Sequence, residues 1–429
     1  METVVVTFEG EGSGTSELAW GQLDAWMTVR RLRSWMPLGG VKPLDPGTTI
    51  DDIAEELRYL LSRYQVLRTK LLLDDPELPR QVVYASGEIA LEIVEASEAD
   101  PDTLHQRYRD TDLDFAAEWP IRMGVIRHEG VLTHMVVLMS HLAADAHGAR
   151  VMLREIATRT KEPVAGMQPL EQARWQQSPA GQRQNEAALK HFGATLRTIA
   201  ARRYHGAPDP QRQPVWTADF RSPAMRLAVA AITERTAMDA DALLLTLFAI
   251  ALNRVTGVNP VVVRPLVGNR FRPGLADVVC SATQQGLCVL DIAVVPFDEA
   301  LTRVKRATMT AYKYAYHDPA AFDALQHKVS RERGEDIDVS CFFNNRRGEI
   351  KPAGEVTPEL IAEALPRTVL QWTATDKEPL RRMFTRVEND AGDALRLSML
   401  LDTHSMSLAD GEAFLRGMEA IAVEAACVS

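Results

Sequence analysis

THMVVLMSHLAADAHGAR, residues 133–150, is the stretch from which the fold is read. Met135-Val136-Val137-Leu138-Met139 is a continuous apolar run, of the length and branching of a buried strand. Ser140 and His141 close it, Leu142-Ala143-Ala144-Asp145 follow, and helical spacing runs from Gly148 to Ile156. The order strand, polar turn, helix sets His141 where side chains leave a sheet edge and enter a crevice. An imidazole there can act as general base, because its ordinary pKa lies near neutral pH. The same residues also fit a hydrogen-bonded structural histidine, with Asp145 as a helix-start carboxylate.

Upstream, Ile121–Arg127 and Val131–Met139 make a strand pair across His128-Glu129-Gly130. Phe115–Pro120 is the loop before it, and Pro101–Arg109 a helix with proline at its start. Gln81–Tyr84, Leu91–Val94 and Lys70–Leu73 read as strands. Thr49 and Asp52 form an N-cap pair, opening a helix with Ile50, Ile53, Leu57, Leu60, Leu61 and Tyr64 on one side. Arg63 and Arg68 straddle the end of that helix, and a buried arginine there calls for a carboxylate. Pro37–Pro46 reads as a Gly/Pro loop. Ser16 precedes a helix carrying Leu18, Trp20, Leu23, Trp26 and Val29 on one face, and Thr3–Phe8 is a strand.

Downstream, Glu162–Pro179 is polar and Gln-rich, which sets the boundary between two halves there or soon after. Gly181–Arg203 is a long helix and Ala207–Pro214 a break. Then come Phe220–Val229 as a strand region, Thr236–Val255 as a helix ended by Gly257, and Val261–Val263 as a strand. Leu287–Val295 and Val339–Asn344 are strands, with Phe297–Tyr316 a helix between them. Three strands at Val369–Ala374, Met383–Glu388 and Ala394–Leu401 precede a last helix at Ala409–Ala425. Sheet and helices in each half give an α/β reading for both.

The chain has 429 residues, more than one core holds, so two domains are expected. A net charge of −10 argues against nucleic acid as partner. No run approaches the about 20 apolar residues of a membrane span, and the N-terminus shows no export signal. The four cysteines, Cys280, Cys288, Cys341 and Cys427, have no zinc spacing and read as reduced thiols of a cytoplasmic protein. No phosphate loop and no HExxH appear, so no bound metal or cofactor is expected.

Several motifs in order resemble the condensation domains of nonribosomal peptide synthetases, within the chloramphenicol acetyltransferase-like acyltransferases. They are Leu18-Ala-Trp-Gly-Gln22 with Trp26; Arg63-Tyr-Gln-Val-Leu-Arg68-Thr69, similar to RHExLRT with Tyr64 for His; Asp112-Leu-Asp-Phe-Ala-Ala; and Ser140-His141-Leu-Ala-Ala-Asp145-Ala146, similar to HHxxxDG. Gly268-Asn269-Arg270, Asp277–Cys280, Leu287-Cys288, His317-Asp318-Pro319 with Phe322, and Asp338–Asn344 complete the series. The resemblance implies two chloramphenicol acetyltransferase-like lobes forming a V with a central tunnel, at 1–175 and 176–429. It implies acyl transfer in natural-product biosynthesis, from a phosphopantetheine thioester on a carrier protein to an amine or hydroxyl acceptor. His141 would be base or orienter. Asp145 would be structural and pair with an arginine, Arg68 first and Arg270 second. Ser140, Ala146, His147, Gly148 and Asn344 would face substrate or tunnel. Because Ser140 and Ala146 depart from the motif, two alternatives stand beside it: a docking module that recruits a carrier or tailoring enzyme without catalysis, and a CoA-dependent acyltransferase of the same fold.

Overall fold

The apolar run at 135–139 is a strand, buried between two others. The computed structural model describes residues 2–204, 206–207, 211–347, 356–375, 381–390 and 392–427. Residues 208–210 of the expected break at Ala207–Pro214 lie outside them. In chain order the first half forms β1 (Glu2–Glu9), β2 (Gly14–Glu17), α1 (Trp20–Leu32), β3 (Pro37–Pro43), α2 (Ile50–Arg63), β4 (Thr69–Leu72), β5 (Arg80–Val83), β6 (Ser86–Glu95), α3 (Pro101–Asp110), β7 (Ile121–His128), β8 (Val131–Ser140), α4 (Ala146–Thr158), α5 (Pro169–Gln177) and α6 (Pro179–Thr198). A five-stranded sheet runs β1-β6-β7-β8-β3, and β2-β5-β4 make a small second sheet. Only β6 and β7 are parallel neighbours in the five-stranded sheet. One face packs on α3 through Leu104, Tyr108, Val94, Ile126, Val136 and Leu138. Thr49 and Asp52 do form the reciprocal cap of α2.

Two expectations fail here. Pro37–Pro43 is an edge strand, not a loop, paired from Pro37↔Ser140 to Pro43↔His134. Its prolines sit at the two ends and its glycines lack side chains, so local propensity conceals a pairing that β8 imposes. The helix expected directly after Ser16 begins only at Trp20: Ser16 and Glu17 lie within β2, and Ala19 is the cap, its amide held by the Gln22 side chain at 3.1 Å.

The second half forms β9 (Val215–Ser222), α7 (Pro223–Thr236), α8 (Ala240–Thr256), β10 (Val261–Val267), β11 (Gln284–Gln285), β12 (Cys288–Leu290), α9 (Phe297–Tyr314), α10 (Pro319–Arg333), β13 (Cys341–Asn345), α11 (Pro358–Ala364), β14 (Val369–Thr375), β15 (Met383–Asn389), β16 (Leu395–Asp402) and α12 (Leu408–Ala426). Strands β10-β13-β15-β16-β9-β14 lie side by side, with β12 also on β10. Cys341, Phe343, Met383, Val387, Leu397, Met399, Ala218 and Phe220 turn to one face and form a core with α7, α8 and α12. The expected strand over Phe220–Val229 is instead the end of β9 and the start of α7. Ser222 caps the helix by accepting from Met225 N at 2.8 Å, and Pro223 takes its first position. No single helix among the described residues is long and apolar enough to cross a membrane.

Contacts divide the chain into two compact units. One is Met1–Glu186 with Gly268–Gln284 and His317–Ala320, and the other is Ala187–Val267 with Gln285–Tyr316 and Ala321–Ser429. The changeover falls between Glu186 and Ala187, where the division read from sequence is at 175/176, and two later segments belong to the first unit. Periodicity cannot reveal such a return, because it reports local spacing alone.

Candidate functional site

The turn after β8 is built to hold its backbone, which fixes where His141 stands. Ser140 is fully buried: its amide donates to Pro120 O at 2.8 Å, and its hydroxyl donates to Trp35 O at 3.1 Å while accepting from Leu142 N at 3.2 Å. Every polar atom of Ser140 is therefore engaged in holding the turn, and it is not a substrate-facing group. The His141 amide donates to Met36 O at 3.1 Å, and Met36 has φ 51. Left-handed backbone is unusual for methionine, and it turns the α1–β3 connection under the histidine. The His141 side chain is half-buried. Trp35 and Met36 are thus seating residues that no motif marked.

Asp145 is the most thoroughly bonded side chain of the stretch. As N-cap of α4, its Oδ1 accepts from Gly148 N at 2.9 Å and from Arg270 Nη2 at 2.5 Å. Its Oδ2 accepts from Ala282 N and Thr283 N, both at 3.1 Å, and from the Thr283 hydroxyl at 2.8 Å. Burial pushes the carboxyl pKa up, but Arg270, the Gly148 amide, the Thr283 hydroxyl and the Ala282 amide outweigh it and hold it below the usual range. Asp145 is a structural anion. Arg270 is held in turn by the carbonyls of Leu275, Val278 and Cys280 at 3.3, 2.6 and 3.3 Å.

Arg68, expected first as the partner of Asp145, is not. It is 1% exposed and donates to the backbone carbonyls of Gly12, Tyr84 and Glu11. Burial alone lowers its pKa. This buried arginine is held through its two terminal nitrogens by three peptide carbonyls and, among the described residues, by no carboxylate, while its Nε has no partner, so the expectation of a carboxylate partner fails. Its neighbour Arg63 does take one, reaching Glu155 of α4 at 2.5 Å. The Tyr64 hydroxyl donates to the same carboxylate. Tyr64, standing where the resembling motif has His, therefore braces α2 against α4.

Residues 278–283 pass close to two helix starts. A Cβ on Gly21, in the first turn of α1, would overlap the Ser281 carbonyl oxygen. A Cβ on Gly148, in the first turn of α4, would stand 3.3 Å from Cys280 O. Glycine at both points lets the segment come near enough for Ala282 and Thr283 to reach Asp145. Ala146 and His147 occupy the first two positions of α4, where amides have no partner within the helix. His147 is half-buried and contacts Arg150 at 3.4 Å, and burial, with Arg270 and Arg150, depresses its pKa. Asn344 lies in the second unit, half-buried on β13, in register with Arg386 of β15.

Cys280 and Cys288 are fully buried thiols, pushed up by burial to about 11 and about 12, so neither is a thiolate at neutral pH. His317 is 2% exposed, and its carbonyl accepts from Gln284 at 2.7 Å. No group of three metal-ligating side chains occurs among the described residues. An imidazole carried on this turn is a group able to accept a proton, and the first amides of α4 are able to donate hydrogen bonds to an anion.

The family model for the condensation domain matches residues 42–367. A condensation domain that mediates chain release from the enacyloxin polyketide synthase superposes with TM-score 0.74 at 20% identity, over 98% of this chain and 84% of that one. The condensation domain of the monacolin K polyketide synthase MokA gives 0.73 at 14% identity, over 97% and 98%. The X-domain of teicoplanin biosynthesis, solved in complex with OxyB, gives 0.69 at 17% identity, over 96% and 95%. No curated protein sequence matches the chain.

Proposed function

The chain belongs to the condensation-domain family, and we propose that it is a condensation-type acyltransferase of natural-product biosynthesis. It passes an acyl group from a phosphopantetheine thioester, borne by a carrier protein, to an amine or hydroxyl acceptor. His141 orients the acceptor and takes its proton as the acceptor attacks the thioester carbonyl. The carbon–sulfur bond breaks, the carrier leaves as thiol, and the proton goes to sulfur. The amides of Ala146 and His147 are the candidate donors for the developing oxyanion.

The observation that supports this reading is the division of labour in SHLAADA. Ser140 and Asp145 are spent on holding the turn and the helix start, while His141 is anchored by its amide and remains partly exposed. Replacing His141 by Ala is expected to lower product formation by about 10²- to 10⁴-fold, the range of a general base. Unchanged turnover would overturn the catalytic role.

Ser140 and Ala146 in place of the motif's His and Gly favour a second reading, a module that holds a carrier protein or a tailoring enzyme without acyl transfer. It predicts capture of a loaded carrier by wild type and His141→Ala alike, with no product from either.

A further inference from the structure

The face of the second unit's sheet that turns away from α7, α8 and α12 carries an unusual pattern. Across β13, β15, β16 and β9, one row of partners is Phe342, Phe384, Leu400 and Thr217. The next row is Asn344, Arg386, Ser398 and Asp219. Both rows are at least partly open except at Phe342, which is 7% exposed. An apolar floor thus adjoins a polar strip.

Among the described residues, the strip has a cation whose nearest counter-charge is shared with another arginine. Asp219 is taken by Arg396 at 2.8 Å and by Arg221 at 2.9 Å. Glu388 lies 3.5 Å from Arg346, and Arg386 Nε comes only to 4.0 Å from the same carboxylate. That Nε is buried and has no hydrogen-bond partner among the described residues. Burial and then the Arg346 guanidinium depress the Arg386 pKa, while Glu388 opposes them. Arg381 adds another cation, stacked 4.7 Å over Phe384 and 4.9 Å over Phe342. Leaving a guanidinium half-dehydrated beside like charges is costly unless an anion visits it. The chain as a whole has a net charge of −10, so this is a local inversion of sign.

We infer that this sheet face binds an amphiphilic organic anion, its carboxylate on Arg386 between Asn344 and Ser398 and its apolar body on Phe384 and Leu400. Guanidinium and carboxylate match in planar geometry, and Asn344 and Ser398 add neutral donors on either side. Residues two apart on a strand are roughly 7 Å apart, so the apolar body begins a few bonds from the carboxylate. A medium-chain or arylalkyl carboxylate fits that spacing, and a bare oxyanion leaves the floor unused. The inference does not rest on the acyl-transfer reading: of its residues only Asn344 is also a substrate or tunnel candidate there, and none takes part in proton transfer.

The test is calorimetric titration of octanoate, octanamide and inorganic phosphate into the full chain and into His141→Ala. Saturable binding of octanoate to both, weaker by about tenfold or more in Arg386→Met, is the expected result. Arg386→Lys, which keeps the charge and loses the fork, should fall between them and guards against a folding defect in the first variant. Octanamide and phosphate should each bind more weakly than octanoate. No saturable octanoate binding, equal binding by Arg386→Met, or phosphate binding more tightly than octanoate would each overturn the inference. Loss of acyl transfer in His141→Ala with octanoate binding intact separates the two claims.

Discussion

At the residue scale, the weight of the site rests on Asp145 more than on its showier neighbour. Five hydrogen bonds converge on its two oxygens. Removing it leaves the largely buried Arg270 with carbonyl partners and no carboxylate, so Asp145→Ala should cost about 3 kcal/mol of unfolding free energy, read by denaturant titration. Its carboxyl pKa is depressed in the folded chain. The stability it gives is therefore fully present above the unfolded value of about 3.9 and is lost as pH falls below that, toward and through the folded value. Asp145→Asn should flatten that acid limb relative to wild type; an unchanged limb would contradict the assignment. Tyr64→Phe leaves Glu155 with Arg63 alone and should cost about 1–3 kcal/mol in the same assay. Sequence alone marked His141, Asp145 and two candidate arginines. It could not choose between Arg68 and Arg270, because the choice is made by where residues 268–284 lie. Nor could it distinguish an arginine held by carbonyls from one held by a carboxylate.

At the element scale, α1 and α4 each carry a glycine in the first turn, near a single crossing segment. Gly21→Ala puts a methyl group against the Ser281 carbonyl, a backbone atom that cannot swing aside. The expected loss is about 1–3 kcal/mol, and Asp145 should lose protection because Ala282 and Thr283 shift with Ser281. Gly148→Ala has more room, with its nearest contact at 3.3 Å, and should cost less. A Gly21→Ala variant as stable as wild type would contradict the close approach. Long periodic helices and the buried strand at β8 were legible because their apolar spacing is a direct record of which face is covered. The edge strand β3 was not, since Pro37, Gly39, Gly40 and Pro43 carry turn chemistry and are ordered by pairing with β8. The β9–α7 junction reads as one strand region from its apolar residues, although Ser222-Pro223 is a helix-start signature that divides it.

At the scale of the whole molecule, the two units are legible as two α/β halves, but the chain does not divide once. Residues 268–284 and 317–320 belong to the first unit while their sequence neighbours belong to the second. A fragment of residues 1–186 would lack Arg270, Ala282 and Thr283 and leave Asp145 buried with its own helix cap alone. Expressed by itself, it should fail to unfold cooperatively, whereas a sharp transition would show that the crossing segment is dispensable. The central claim is that His141 transfers an acyl group. Its most direct test is single-turnover discharge of an acyl-loaded carrier protein in the presence of an amine or hydroxyl acceptor, followed by intact mass. The account predicts that wild type empties the carrier and acylates the acceptor, with His141→Ala slower by about 10²- to 10⁴-fold. Equal discharge by the two proteins, or none by wild type with any carrier and acceptor pair, would contradict it.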